Sequence, residues 1–109
     1  MTEEENEISL ADQAYLDQCS IGGLIVKFLE KTLTTEGPAP SIEILKAKLA
    51  LFEQHWEKFS KNHLIVNRYY EELKDKKYYS ENYYDRVEAA YFDTKIAIQA
   101  ELDARAPNK

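Results

Sequence analysis

The most regular hydrophobic pattern of the chain runs from residue 42 to residue 77. Apolar or aromatic residues recur there at alternating spacings of three and four, which fills the a and d positions of about five heptads. These residues are Ile42, Leu45, Leu49, Phe52, Trp56, Phe59, His63, Val66, Tyr70 and Leu73. Because no Gly or Pro interrupts the run, it predicts one long helix over about 42–77, a spine for shorter partners.

A second helical pattern precedes this spine. Apolar residues at helical spacing predict a helix over about 9–35. Two N-terminal caps are possible for it, Thr2 with Glu5 or Ser9 with Asp12. Gly37 suits the left-handed residue that follows a helix, and Pro38 prevents the helix from continuing. The sequence therefore predicts a first helix that ends shortly before the spine begins. Ser41 is placed to cap the N-terminus of the spine.

A third helix follows the tyrosine-rich stretch 78–84, which predicts a turn. Ser80 or Asn82 can cap this helix, and apolar residues at helical spacing extend it over about 82–105. We therefore expect an all-α fold, an elongated antiparallel three-helix bundle or coiled coil around one long central helix. The expected organisation is an acidic N-terminal tail at 1–7, a single helical domain at 8–105 and a C-terminal tail at 106–109.

Short connections make neighbouring helices antiparallel, so the chain is expected to fold back near Gly37 and near Tyr79. This register places Trp56 where all three helices meet, Gly22 against its indole and Ile98 opposite Phe59. It also leaves each end of the spine covered by one helix only. The predicted structural core comprises Gly22, Phe52, Trp56, Phe59, His63, Tyr91 and Ile98.

Three apolar residues of the spine lie outside its main seam, at Ile44, Leu51 and Ile65. They are spaced seven or fourteen residues apart, which keeps them on one face of a helix. They can serve the second partner helix of the same chain or another molecule. We take them as the candidate interface for protein contacts, with self-association into a homo-oligomer as the expected outcome.

Composition narrows the classes of function. The net charge of −6 and the acidic N-terminus argue against direct nucleic-acid binding. No apolar run approaches the ~20 residues of a membrane-spanning helix, so no membrane association is expected. The sequence has no signal-peptide pattern and only one cysteine, Cys19, which cannot form an internal disulfide. These features predict a cytoplasmic, intracellular protein.

Candidate catalytic residues are few. His55 and His63 are not accompanied by an HExxH motif or a Cys-His cluster, and a hydrogen-bonded core position is favoured for His63. Cys19 has no CxxC partner, which favours a buried small residue over a nucleophile. The paired tyrosines suit a phosphorylated adaptor, but their seam positions favour packing. We therefore predict no catalytic residue, no cofactor and no metal, and thus a protein that is not an enzyme.

The order of these motifs resembles the N-terminal region of Gag-like polyproteins of insect LTR retrotransposons of the Pao/BEL type. The resemblance covers about residues 16–102 and rests on three segments: 20–29, 49–63 and 84–95. It implies a structural protein that contributes to the assembly of capsid-like particles, or a host gene derived from such an element. The sequence has no zinc knuckle, so packaging of nucleic acid would fall to another part of a longer polyprotein.

Two hypotheses follow from these patterns. The leading hypothesis is a non-catalytic structural domain that self-assembles through helical surfaces. The alternative is a monomeric intracellular adaptor that accommodates a partner's amphipathic helix alongside an uncovered end of the spine. The two differ in oligomeric state, because only the first requires contacts between copies of the chain.

Overall fold

The computed structural model of the chain describes residues 9–33 and 40–105. This part of the chain contains helices and no strand. The helices are α1 (Leu10–Leu33), α2 (Ile42–Arg68), α3 (Tyr70–Leu73), α4 (Lys77–Ser80) and α5 (Tyr83–Arg105). The three long helices pack on one another, with α2 antiparallel to α1 and α5, which confirms the predicted all-α bundle. The molecule is elongated and measures 64 × 28 × 20 Å. The predicted tails, the possible cap at Thr2 with Glu5, residues 34–35 of the predicted first helix and its predicted end at Gly37 and Pro38 lie outside the described residues.

Two of the helices begin at the caps that the sequence indicates. The Oγ of Ser9 accepts a hydrogen bond from the backbone N–H of Asp12 at 3.0 Å. The Oγ of Ser41 accepts one from the backbone N–H of Ile44 at 3.2 Å. Each cap pairs one of the N–H groups that have no partner within the helix, and so fixes where α1 and α2 start.

The core is organised by every seventh residue of α2. Leu45, Phe52, Phe59 and Val66 have no exposed surface. The other seam positions of α2 are only half-buried, because they lie to one side of this line, toward α5. These positions are Ile42, Leu49, Trp56 and His63. Facing α2, the helices α1 and α5 contribute the buried residues Ala11, Ala14, Gln18, Ile25, Val87, Tyr91, Thr94, Ile98 and Leu102.

The central helix is shorter than predicted. It ends at Arg68 instead of continuing to residue 77, and Tyr69 leaves helical geometry with φ −105° and ψ 27°. The chain then forms α3 and α4, separated by a turn over residues 74–76. No Gly or Pro marks this break, so its cause lies in packing and not in local propensity.

The break in the helix allows two large side chains to become buried. Leu73 of α3 is 1% exposed and Tyr78 of α4 is 3% exposed, in one cluster with Ala11, Ala14 and Val66. Burying a large apolar side chain stabilises by about 1.5–3 kcal/mol. A backbone hydrogen bond contributes only about 1 kcal/mol. Burial therefore outweighs the continuity of the helix.

The register of α5 along α2 also differs from the predicted register. Ile98 packs in one cluster with Leu45, two heptads closer to the start of α2 than its predicted neighbour Phe59. The expectation that each end of the spine is covered by one helix only was wrong. At one end, Leu45 contacts α1 and α5 side chains, and at the other, Val66 contacts α1, α3 and α4 side chains.

Two predicted core residues, Trp56 and His63, are half-buried and not fully enclosed. Both occupy seam positions on the α5 side of α2. The indole of Trp56 stacks on the ring of Tyr91 with centroids 4.5 Å apart, and the imidazole of His63 stacks on Tyr84 at 4.0 Å. The indole of Trp56 therefore lies against α5, while the fully buried rings of the core are those of Phe52 and Phe59.

Gly22 is buried, but its neighbour is not the indole of Trp56. A Cβ at this position would contact the hydroxyl of Tyr83 and would lie 2.8 Å from its Cε2 atom. Gly22 faces α5, while the side chain of Ile25 on the same helix packs with α2 residues. A Cβ at Gly23 would meet nothing within 4 Å. Only the first glycine of the pair is thus required for close approach.

We expect Gly22→Ala and Gly23→Ala to change stability in opposite directions. The first introduces a clash with Tyr83 and should destabilise by about 1–3 kcal/mol. The second adds a helix-favouring residue in open space and should stabilise by about 0.5–1 kcal/mol. Chemical denaturation of both variants measures the difference. In a Tyr83→Ala background, Gly22→Ala should no longer destabilise; a cost that persists there would contradict the assigned contact.

We also expect Phe52→Ala to destabilise the domain more than Trp56→Ala. Phe52 has no exposed surface, so its truncation leaves a cavity and should cost about 3–5 kcal/mol. Trp56 is half-buried, so water can fill part of the space that its indole leaves. The two free energies of unfolding, compared in the same denaturant, test the ranking. A larger loss for Trp56→Ala would place the centre of the core at the indole.

Candidate functional site

The three candidate interface residues are exposed, and no helix within the described residues covers them. Ile44 is 48% exposed, Leu51 is 46% exposed and Ile65 is 39% exposed. Each lies one position before a buried residue of α2, so all three point about 100° away from the core direction. Lys58 holds the remaining position of this spacing. We call Ile44, Leu51, Lys58 and Ile65 the α2 stripe.

The α2 stripe borders an open groove between α1 and α2, with a volume of about 450 Å³. We call it the α1–α2 groove. Its lining combines two isoleucines, two lysines, one carboxylate and two neutral polar groups: Asp17, Ser20, Ile21, Lys58, Lys61, Asn62 and Ile65. Asn62 holds the two walls together, because its Nδ2 donates to the carbonyl of Ala14 at 3.1 Å and to the Oε1 of Gln18 at 3.0 Å.

The electrostatic character of this groove differs from that of the whole chain. Lys58 forms no ion pair within the described part of the chain, and Lys61 pairs with Glu57 at 3.4 Å on the surface, where such pairs contribute little. One and two heptads beyond the groove residues of α1, the same face carries the exposed Leu24, Lys27 and Lys31. A chain of net charge −6 thus presents a mainly cationic face here.

A second cluster of polar side chains lies inside the bundle. Gln18 has no exposed surface, and its Nε2 donates to the carbonyl of Phe59 and to the hydroxyl of Tyr78, both at 2.9 Å. The hydroxyl of Tyr78 also shares a hydrogen bond of 2.6 Å with the Nδ1 of His63. These bonds join α1, α2 and α4. Within the described residues, every buried side-chain nitrogen and oxygen has a hydrogen-bond partner.

His63 is held on both ring nitrogens. Its Nε2 lies 3.2 Å from the Nδ2 of Asn67, whose Oδ1 accepts a hydrogen bond from Tyr79 at 2.7 Å. Burial lowers the pKa of His63, and the nearby carboxylate of Asp85 opposes this effect. Burial also raises the pKa of Tyr78. Burial therefore favours the neutral forms of His63 and Tyr78. Hydrogen bonds between these neutral groups hold α2 and α4 in position.

A third polar contact links α2 to α5. The hydroxyl of Tyr91 donates to Oε1 of Glu53 at 2.5 Å, and Nζ of Lys95 lies 2.9 Å from Oε2. Burial alone raises the pKa of Glu53, but the hydrogen bonds from Tyr91 and Lys95 lower it below its ordinary value. Neither Glu53 nor Gln18 is predicted from the sequence as a site residue. The one local signal is that Lys95 follows Tyr91 by four residues, which puts both on one helix face.

Three further observations concern metal binding, membrane-spanning helices and similarity to known proteins. Within residues 9–33 and 40–105, no group of three or more His, Cys, Asp or Glu side chains is placed to hold a metal ion. The helices of these residues include none with the length and apolarity needed to cross a membrane. Comparisons of the chain with protein-family models, curated proteins and solved structures found no match. The fold and the site define a helical bundle with an exposed groove that is apolar and cationic.

The stability of the domain should fall as the pH drops below about 6.5, the ordinary pKa of histidine in an unfolded chain. The pKa of His63 is lower in the folded state, so protons bind preferentially to the unfolded state in this range. Denaturation of the native chain and of His63→Gln at pH 5 to 8 tests this. The variant should lose less stability on acidification.

His55 is the control for this experiment, because burial and the charge of Lys58 lower its pKa as well. A His55→Gln variant should keep the part of the pH dependence that belongs to His63. Equal dependence on pH in the native chain and in His63→Gln would show that the imidazole does not titrate differently in the folded state.

Proposed function

We propose that this chain is a non-catalytic self-assembly domain of the Gag-like type, which binds copies of itself through helical surfaces. The observation that carries the proposal is the α2 stripe. It presents three large apolar side chains, Ile44, Leu51 and Ile65, on one face of a rigid helix beside a groove. Aligned apolar side chains on a surface mark contact sites more often than single exposed ones do.

The position of the α2 stripe supports a contact between molecules. The core of α2 is already covered by α1 and α5, and the helices of the described residues leave this face open. A stable interface also needs polar groups at its rim. Ser20, Asn62 and the lysines of the α1–α2 groove provide such groups around Ile21 and Ile65.

The resemblance to Gag-like proteins supports the same proposal in a different way. The segments that carry it lie mainly in α1, α2 and α5 and include buried residues such as Ile25, Phe59 and Tyr91. These residues form the scaffold and not the surface. The resemblance therefore bears on how the domain folds, and capsid-like assembly by this chain rests on the exposed faces.

The alternative function, a monomeric helical adaptor, needs a different binding surface from the one predicted from the sequence. The uncovered end of the spine on which it was based is not present, because both ends of α2 are covered. The α1–α2 groove is the feature that still favours it, since an amphipathic helix of another protein could lie there. A mass of one chain at all concentrations would favour this alternative.

We expect the protein to form dimers or larger assemblies whose mass rises with concentration, and Leu51→Glu with Ile65→Glu to dissociate them. Glutamate at both positions would place charge within a contact that buries apolar surface. Light scattering coupled to size exclusion, over a wide concentration range, measures the mass. Circular dichroism should show unchanged helicity, because both side chains lie outside the core.

Leu64→Glu is the matched control, since Leu64 is 63% exposed on the same helix but lies outside the α2 stripe. It should leave the mass unchanged. Loss of helicity in the Leu51 and Ile65 double variant would assign these residues to the core. A native chain that stays a monomer at every concentration would overturn the proposal itself.

A further inference from the structure

A second exposed apolar face, which no helix of residues 9–33 and 40–105 covers, lies on α5. Phe92 is 51% exposed and Ile96 is 67% exposed, one helical turn apart. The exposed Ala89 and Ala100 continue the line in both directions at spacings of three and four. We call Ala89, Phe92, Ile96 and Ala100 the α5 outer stripe. It is distinct from the buried face of α5, which carries Val87, Tyr91 and Ile98.

Acidic side chains flank the α5 outer stripe. Asp85, Glu88 and Asp93 form no ion pair with any residue that the structure describes. The cations of α5 are each engaged with a carboxylate of the same chain. These pairs are Arg86 with Glu81, Lys95 with Glu53 and Arg105 with Glu101. The outer face of α5 is therefore apolar along its centre and negatively charged along its sides.

The α1–α2 groove has the complementary character. Ile21 and Ile65 supply its apolar surface. Beside them lie Lys58, which has no ion pair among the described residues, and Lys61, which pairs with Glu57. Lys27 is on the neighbouring face of α1, and the one carboxylate of the lining, Asp17, accepts a hydrogen bond from Gln13. A helix with an apolar line and acidic flanks fits such a surface, because its apolar side chains enter the groove while its carboxylates meet the lysines.

We propose that the α5 outer stripe of one copy docks in the α1–α2 groove of a second copy, so that self-assembly is head-to-tail. This inference rests on the proposed self-assembly function and assigns its geometry. A contact of groove with groove would place lysines opposite lysines, and a contact of α5 with α5 would place carboxylates opposite carboxylates. Contact between unlike faces avoids both repulsions. Each copy has one groove and one α5 outer stripe, so a copy at the end of the assembly still has one of them free. The assembly therefore grows into a ring or a filament.

Mixing two variants tests this geometry. One variant, Phe92→Gln with Ile96→Gln, loses the apolar line of α5 but keeps helix-favouring residues. The other, Leu51→Glu with Ile65→Glu, places one carboxylate in the lining of the groove, at Ile65, and a second on the α2 stripe beside it. Each alone should be a monomer. An equimolar mixture should form a dimer and nothing larger, because only one pair of intact faces remains. Light scattering coupled to size exclusion measures the mass of each variant alone and the mass of the mixture.

The outcomes separate this inference from the function on which it rests. A native chain that is a monomer at every concentration overturns both. A native chain that associates, together with an α5 variant that associates equally well, overturns the head-to-tail contact and leaves self-assembly in place. Circular dichroism of both variants, and the milder Ile96→Gln alone, show whether a loss of mass comes from unfolding.

Salt dependence gives a second measure of the same contact. Attraction between the acidic face of α5 and the lysines of the groove is screened by salt, so association of the native chain should weaken between 50 mM and 500 mM NaCl. Contact between two grooves would respond in the opposite way, since salt would relieve the repulsion between lysines. Association that strengthens with salt would therefore overturn the proposed pairing of faces.

Discussion

The stacking of rings between α2 and α5 is the interaction on which the arrangement of the bundle depends. Tyr91 lies against two rings of α2, with centroids 5.3 Å from Phe52 and 4.5 Å from Trp56. Two helical turns earlier in α5, Tyr84 also lies against two rings of α2, with centroids 5.5 Å from Phe59 and 4.0 Å from His63. Such pairs contribute about 0.5–1.5 kcal/mol each beyond the area they bury. Because each tyrosine is shared between two successive seam positions, a shift of α5 along α2 would disrupt all of these contacts together.

This register explains the other features of the fold. With Tyr84 fixed beside Phe59, the chain has to reverse between Arg68 and Tyr83, and α3 and α4 form within that interval. Their side chains Leu73 and Tyr78 then close this end of the core, together with Tyr83 and Tyr84 at the start of α5. The opposite end is closed by Ile98 and Leu102 of α5. Several large apolar residues that remain exposed, such as Leu51, Phe92 and Ile96, lie along the sides of the bundle.

The parts of this structure that could be predicted are those set by neighbouring residues. The heptad spacing of α2 and the caps at Ser9 and Ser41 act within a few residues, so the sequence indicates them directly. The end of α2 at Arg68 depends on what Leu73 and Tyr78 can bury against α1, which no local pattern shows. The same is true of Gly22, whose neighbour Tyr83 is set by the register of α5. For the candidate interface, the spacing of Ile44, Leu51 and Ile65 shows a shared face, but the groove beside it requires the packing of α1.

The buried polar network and the surface groove are physically connected through Asn62. Its side chain lines the α1–α2 groove and donates to Gln18, which in turn binds Phe59 and Tyr78 in the interior. Hydrogen bonds in a low-dielectric interior are costly to leave unmade, so this chain of contacts holds α1 and α2 at a fixed separation. A groove whose walls are fixed loses little conformational entropy when another helix enters it. The interior amide of Gln18 thus contributes to recognition at the surface, because it supports a groove that exists before any partner binds.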